Sequence, residues 1–383
     1  EYLRVLAPTL DFKVGDIIRI PLKIVNEKSI INLTSENISI SKQDWDAHEI
    51  SWNFGNNELV RLAKEGLGEI TTTVNEETVM QYHSLKLLVA EYKAHWTSMF
   101  RLLHTNEEEL NSQFINIYDL HDELASDVPL DEVTILQQGE ISIDNNKVTW
   151  NDDVIIKQLI SYAIGCMMGR YSLDCKGLIL ANQGDGLKEY DALVPQSRFR
   201  PDEDGILPLM SSDSEFADNV TQQFKTWLTI AFGDDTLVEN LNFVRTALGK
   251  DLDLYLTKDF WKDHKKMYQN RPIYWLFASK KGAFQCLVYM HRMNPYTAER
   301  VRTKYLLPHI EWLMKRQNEM QQNADNLSVR ERKELDNIIK QIAECREYHD
   351  RLHVVADEQI AFDLDDGVLV NYAKFGDVLS KIK

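Results

Sequence analysis

The sequence predicts an α+β protein, mainly helical, in which helical hairpins and a long antiparallel coiled-coil arm pack with small β-sheets. Three observations predict it. Apolar residues recur at three- and four-residue spacing through several long stretches, as on one face of a helix. Two β-rich runs, 272–278 (PIYWLFA) and 284–290 (FQCLVYM), flank a Ser-Lys-Lys-Gly turn. Ser328 and Glu331 stand at the spacing of a capping box, ahead of a long helical stretch.

Each element follows in order. Residues 15–23 (GDIIRIPLK) read as a strand, with Pro21 at its edge or end. A polar connector runs through Asn37, and Ser41 opens a short helix with Asp44 as its capping partner. Residues 77–104 read as a long helix with Leu85, Leu88, Tyr92, Trp96, Met99 and Leu103 on its apolar face. Asn106 and Glu109 restart a second helix, faced by Leu110, Phe114, Ile117, Leu120 and Leu124. The short break between them predicts an antiparallel helical hairpin.

Residues 129–150 read as a loop with short strands, and 152–169 as a helix. The apolar run 154–168 in that helix is interrupted by Lys157, Gln158 and Ser161 and is too short to span a bilayer. Strands are expected at 177–181 and 206–209, helices at 214–232 and 235–248, and then the hairpin 272–290. From Thr297 the chain is helical, with a kink at Pro308. Helices 298–325 and 328–356 form the arm, the second buried through Leu335, Ile339, Ile342 and Leu352. A turn and a last strand occupy 363–372.

The length of 383 residues and an apolar fraction of 44% allow two or three domains with a substantial core. The four cysteines show no C-x-x-C pair and no accompanying histidine cluster, which excludes a zinc site and suits a reducing, cytoplasmic location. The chain opens on Glu1 with no leader-like segment, so a fragment lacking its natural N-terminal part is expected.

Candidate chemistry is sparse. Asn294-Pro295-Tyr296 is the nearest approach to the N-P-P-aromatic loop that holds the exocyclic amine of a flipped base. It has one proline and precedes a helix, so a helix-entry turn explains it better. Gly184-Asp185-Gly186 lacks the third glycine of a cofactor loop and reads as a turn. The acidic pairs Asp152/Asp153, Asp234/Asp235 and Asp365/Asp366 sit where caps and turns favour acids. No catalytic, cofactor-binding or metal-binding residue is assigned.

Charge is more telling. The net charge is −17, yet residues 257–305 carry eleven basic side chains against three acidic ones, +8, which leaves −25 elsewhere. Aromatics interleave with these cations, a combination suited to phosphate contact and groove reading. The candidate DNA-binding residues are Lys265, Lys266, Arg271, Lys280, Lys281, Arg292, Arg300, Arg302 and Lys304. Lys280 and Lys281, at a hairpin tip, are expected to position phosphates, and Arg292 or Arg300 to read bases.

The stretch 259–307 (DFWKDHKKMYQNRPIYWLFASKKGAFQCLVYMHRMNPYTAERVRTKYLL) resembles the C-terminal region of PglX-type adenine-specific DNA methyltransferases of bacteriophage-exclusion (BREX) systems. So do 7–21 (APTLDFKVGDIIRIP), 41–54, 111–124, 169–174, 232–249 and 364–375, in order along the chain. The resemblance implies four parts: 1–24, the end of a methyltransferase core and a linker strand; 25–130, helical; 131–296, an α+β target-recognition domain; and 297–383, the coiled-coil arm with its closing strand. It implies S-adenosylmethionine-dependent methylation of adenine N6 in a site-specific manner by the parent protein, with this fragment inactive and free of cofactor. The implied partners are double-stranded DNA, other BREX proteins and phage inhibitors, with no membrane. Two other readings stand beside it: a module that docks partner proteins, and, more weakly, a nuclease.

Overall fold

The computed structural model describes residues 14–18, 23–74, 78–322 and 324–382. In chain order the helices and strands are α1 (Val14–Ile18), α2 (Glu27–Asp46), α3 (Glu58–Lys64), β1 (Glu69–Val74), β2 (Thr78–His83), α4 (Leu85–Tyr118), β3 (Ile141–Asp144), β4 (Lys147–Trp150), α5 (Asp152–Met168), α6 (Leu187–Leu193) and β5 (Ile206–Pro208). They continue with α7 (Val220–Phe232), α8 (Leu237–Leu248), α9 (Leu252–Lys258), α10 (Phe260–Met267), β6 (Tyr274–Ala278), β7 (Gln285–Tyr289), α11 (Thr297–Arg300), α12 (Leu307–Gln322), α13 (Val329–Asp357) and α14 (Val368–Ala373). The predicted α+β class, mainly helical with small antiparallel sheets, is what forms. No helix among the described residues is long and apolar enough to cross a membrane.

The chain divides into two compact units, 1–45 with 94–149, and 46–93 with 150–383. In the first, α2 buries Ile30, Ile40 and Asp44, and α4 contributes Trp96, Phe100, Leu103 and Ile115. The Asp44 carboxylate accepts the Leu136 N–H at 3.0 Å, fixing the segment that carries buried Val133 and Ile135. β3 and β4 pair across Asn145-Asn146, both at positive φ, as a two-residue hairpin turn of mirror-image type requires.

Several expectations for this part of the chain are corrected. The strand at 15–23 is helical at Val14–Ile18, while 19–22, with Pro21, lie outside the described residues. The polar connector and the helix start at Ser41 are replaced by one helix, α2. The break before Asn106 does not exist, because α4 runs uninterrupted from Leu85 to Tyr118. Asn106 resembles a cap, but its side-chain amide donates to Glu36 at 2.8 Å and Asn37 at 2.9 Å, so tertiary partners hold it mid-helix. In place of the predicted start at residue 77, strands β1 and β2 pair antiparallel, with Glu69 opposite His83.

The second unit is built on α5 and a three-stranded antiparallel sheet ordered β5-β7-β6. α5 is apolar on all sides and buried from Ile155 to Met168 apart from Lys157 and Gln158. Gly169 ends it in the left-handed conformation at φ 80, and the Arg170 N–H donates to the Gly165 carbonyl at 2.8 Å. The predicted hairpin forms with Tyr274 opposite Tyr289 and Ala278 opposite Gln285. Every residue of β5 and β7 is buried, so this sheet is covered rather than half-solvated.

Between α5 and the sheet lies a buried polar cluster. The Arg170 guanidinium donates to the Tyr171 hydroxyl at 3.1 Å and the Tyr289 hydroxyl at 3.3 Å. The Glu49 carboxylate accepts from Ser161 at 3.0 Å and Tyr268 at 3.3 Å. Burial pushes the Glu49 carboxyl up to about 7, against the pull of the Arg170 charge. His264 Nε2 accepts the N–H groups of Ile273 and Tyr274, each at 3.2 Å, which requires a neutral ring with its proton on Nδ1. Burial holds it there, pushing the imidazole down to about 3.

Three further expectations change here. Residues 177–181 are not a strand: the Ile179 and Leu180 N–H groups bond the carbonyls of Arg170 and Gly169 at the end of α5. The helix expected from 214 starts at Val220, where the Asn219 side chain accepts from Thr221 and Gln222. The closing strand at 363–372 is a 3₁₀ turn at Leu364–Asp366 followed by α14, with Gly367 at φ 88 between them.

The last two long helices run antiparallel, linked by Arg316 to Glu334 near their turn and Arg302 to His349 farther back. The buried face of α13 is Ile338, Ile342, Cys345, Tyr348, Leu352 and Ala356, so Ile339 points outward and Ile338 takes its expected place. That face meets the sheet: Tyr348 packs on Phe284, its hydroxyl donating to the Val378 carbonyl at 2.8 Å. Where the sequence predicts a kink at Pro308, the helix has a π-helical turn at Val301–Leu306, just before the proline, whose ring would clash with the preceding carbonyls of a regular α-helix. Ser328 caps α13 in the predicted box, accepting from Glu331 N at 3.3 Å while Glu331 accepts from Ser328 N at 2.7 Å. Ser328→Ala is expected to cost about 1 kcal/mol, read as a lowered midpoint in urea titration. An unchanged midpoint would mean that the capping box adds nothing to the stability of the helix pair.

Candidate nucleic-acid interface

The hairpin turn that carries Lys280 and Lys281 is held from one side. The Glu344 carboxylate of α13 accepts from Ser279 Oγ at 2.6 Å, Lys281 N at 2.6 Å and Ala283 N at 3.3 Å. Burial opposes its charge, but these three donors hold the carboxyl below its ordinary value. Gly282, at φ 78, makes the turn possible. Both lysine side chains are exposed.

They line one wall of a groove of about 1220 Å³. Lys258, Lys262 and Lys265 line it from α9 and α10, Arg351 from α13 and Lys381 from the segment after α14. Among the described residues, seven cationic ones line it, with the acids Glu347 and Asp377 and the apolar residues Leu209, Leu256, Trp261 and Leu276. Two of the seven are engaged with carboxylates: Arg351 with Asp377 at 2.9 Å and Lys262 with Asp259 at 3.2 Å. Lys265 lies with its ammonium 4.3 Å from the centre of the Trp261 ring and donates to the carbonyls of Lys381 and Ile382, both at 3.1 Å. Burial and the Lys262 charge lower its proton affinity.

The nine candidates from the sequence therefore separate. Lys265, Lys280 and Lys281 share the groove. Lys266 and Arg271 are exposed but line neither this groove nor the pocket described next. Arg302 spends its guanidinium on Glu299, at 2.8 Å, and on His349. Arg292, Arg300 and Lys304 line a separate pocket of about 520 Å³ with Gly184, Asp185, Gly186 and Asn294.

In that pocket Lys304 is paired with Asp204 at 2.8 Å. Arg292 is buried at 8% exposure and donates to the carbonyls of Asp202 and Glu203, both at 2.8 Å. Its stem lies on Gly205, at φ 72, where a Cβ would come within 3.1 Å of Arg292 Cδ. It is thus a strut for the 202–205 turn.

Arg351 and Lys381 escaped the sequence reading because they lie far along the chain from the basic segment. Lys258 and Lys262 were counted there but not singled out. Lys262 and Lys265, three apart on α10, share a helix face, while Lys258 ends the preceding helix α9.

No protein-family model matches the chain. It is 35% identical, over 99% of its length, to the "adenine-specific methyltransferase BrxX" of Escherichia coli O9:H4 (strain HS). It is 34% identical, over 98% of its length, to the "adenine-specific methyltransferase PglX" of Lacticaseibacillus casei (strain Zhang). The chain spans 31% and 30% of those two proteins. The sequence resemblance to PglX-type proteins thus holds along the whole chain.

Proposed function

We propose, from a chain that matches PglX- and BrxX-type methyltransferases from end to end, that it serves as the DNA target-recognition region of a site-specific adenine-N6 methyltransferase of a phage-defence system. On this reading S-adenosylmethionine and the transfer chemistry belong to other parts of a longer protein, and this chain takes hold of duplex DNA. Partner defence proteins and phage inhibitors would act on the same assembly. The observation that carries the reading is the groove: among the described residues, seven cations against two acids, in a chain of net charge −17. Such a groove stays effective on an acidic body, because charges beyond roughly 10 Å are screened at 0.1 M salt.

Phosphates bound there release condensed counterions, so affinity falls steeply with salt. With five to seven phosphates neutralised, the plot of log affinity against log salt is expected to have a slope of about −4.5 to −6. Fluorescence anisotropy of labelled duplex at stepped salt measures it. A slope near zero would remove the groove from DNA contact and turn the reading toward docking of partner proteins.

A further inference from the structure

The pocket of Arg300 differs in kind from the groove. Its cations Arg292, Arg300 and Lys304 are matched by Asp185, Glu203 and Asp204, so it offers no excess charge to a phosphate. Most of its polar groups are already committed. Lys304 pairs with Asp204, and Arg292 holds backbone carbonyls. The Asp185 Oδ2 accepts the N–H groups of Ala181 and Asn182 at 3.1 and 2.8 Å.

Two groups stay uncommitted. The Arg300 side chain is half-exposed and makes no hydrogen bond or ion pair among the described residues. Asn294 accepts the Tyr296 N–H on its Oδ1 at 3.0 Å, and its amide nitrogen has no partner among the described residues. The pocket is thus lined by a planar fork of donors and by an amide donor, in a recess of about 520 Å³ whose charges balance among the described residues. The sequence motifs at 184–186 and 294–296, each weak alone, meet at this one place.

A guanidinium fork in a recess whose charges so balance suits a neutral ligand edge bearing two neighbouring acceptors. Among base pairs that edge is the O6 and N7 of guanine in the major groove. We infer that Arg300 is a specificity-determining residue that reads a guanine in the recognised DNA sequence, with the Asn294 amide nitrogen as the supporting donor. This rests on the DNA-recognition reading and deepens it: the groove positions phosphates, and the pocket reads a base.

The test uses the protein of natural length. Methylated-adenine contexts are mapped genome-wide for wild type, Arg300→Ala, Arg300→Lys and Lys280→Glu/Lys281→Glu. Sequences enriched from a randomised duplex pool by binding alone give the same readout without methylation. Arg300→Ala and Arg300→Lys are expected to relax one guanine position, cutting its discrimination by about 5- to 150-fold, because lysine cannot reproduce the bidentate fork. An unchanged motif in both variants overturns the inference. So does a loss spread evenly over all sequences, whether lysine restores it, as for a phosphate contact, or does not, as for a structural role. The groove variant keeps the two readings apart. If it binds and methylates like wild type while Arg300→Ala relaxes a guanine, the groove reading falls and the pocket stands. If it loses binding uniformly while Arg300→Ala keeps the motif, the pocket falls and the groove stands.

Discussion

Reversing Lys280 and Lys281 to glutamate together is expected to weaken binding of duplex DNA by about 10- to 100-fold near 0.1 M salt, and to flatten the salt slope by about 2. Both side chains are exposed on a turn whose backbone is pinned, and neither ammonium is spent on a protein carboxylate among the described residues. Reversal therefore removes two charges and adds two repulsive ones, the change at 281 also withdrawing a positive charge that favours the ionised Glu344 carboxyl. Arg302→Glu is the contrasting control for affinity. Arg302 is already paired with Glu299, so its net offer to DNA is small, although its loss also removes the contact to His349. Anisotropy titrations at several salt concentrations decide the matter. Equal slopes for wild type and the double variant would show that the hairpin tip never meets phosphate.

The second large effect concerns stability. Arg170→Met is expected to destabilise the protein by about 3–5 kcal/mol at pH 8, and by distinctly less at pH 6. The variant loses the hydrogen bonds to Tyr171 and Tyr289 at any pH. At pH 8 it also strands a buried Glu49 carboxylate without the charge that stabilises it. Glu49 has a folded value of about 7 against an ordinary 4.5, so the folded state holds a proton that the unfolded state has released between those values. Wild-type stability therefore falls as pH rises from about 4.5 to 7, and levels off above. At pH 6 the carboxyl is mostly protonated and misses Arg170 little. Adding Glu49→Gln to Arg170→Met is expected to recover part of the loss at pH 8 and almost none at pH 6. Urea unfolding of wild type, Arg170→Met, Glu49→Gln and the double variant at both pH values reads this directly, and a loss independent of pH and of Glu49 would show that the two groups do not act on each other.

Local chemistry made some of this architecture legible and left the rest hidden. The 272–290 hairpin, the Ser328 box and α5 were readable because each signal sits within a few residues and agrees with the burial that follows. The continuity of α4 was not, because Asn106 is retained in the helix by Glu36 and Asn37, about seventy positions earlier in the chain. Apolar residues at 368–370 looked like a strand, yet Leu369 and Val370 are exposed on a short helix, where no sheet partner selects the extended form.

At the candidate site, composition located the basic segment but could not sort its members. Arg292 and Arg300 look alike in sequence. One is consumed by the carbonyls of a turn and the other is not, and that difference depends on Asp202 and Glu203, roughly ninety residues away. Arg351 and Lys381 join the groove only because the last helices return to the hairpin.

The grip of Glu344 on the hairpin tip has a consequence for the kinetics of backbone exchange and for the entropy of association. Exposed turns ordinarily open freely and surrender their amide hydrogens within the fastest class. Here the Lys281 and Ala283 amides donate to a carboxylate on a 29-residue helix, so they are expected to exchange more slowly than the amides of a free turn. The tip that offers its lysines outward is thus already ordered before any polyanion arrives. Little backbone freedom remains to be lost on association, and the attraction of the charges is left largely undiminished by an ordering cost.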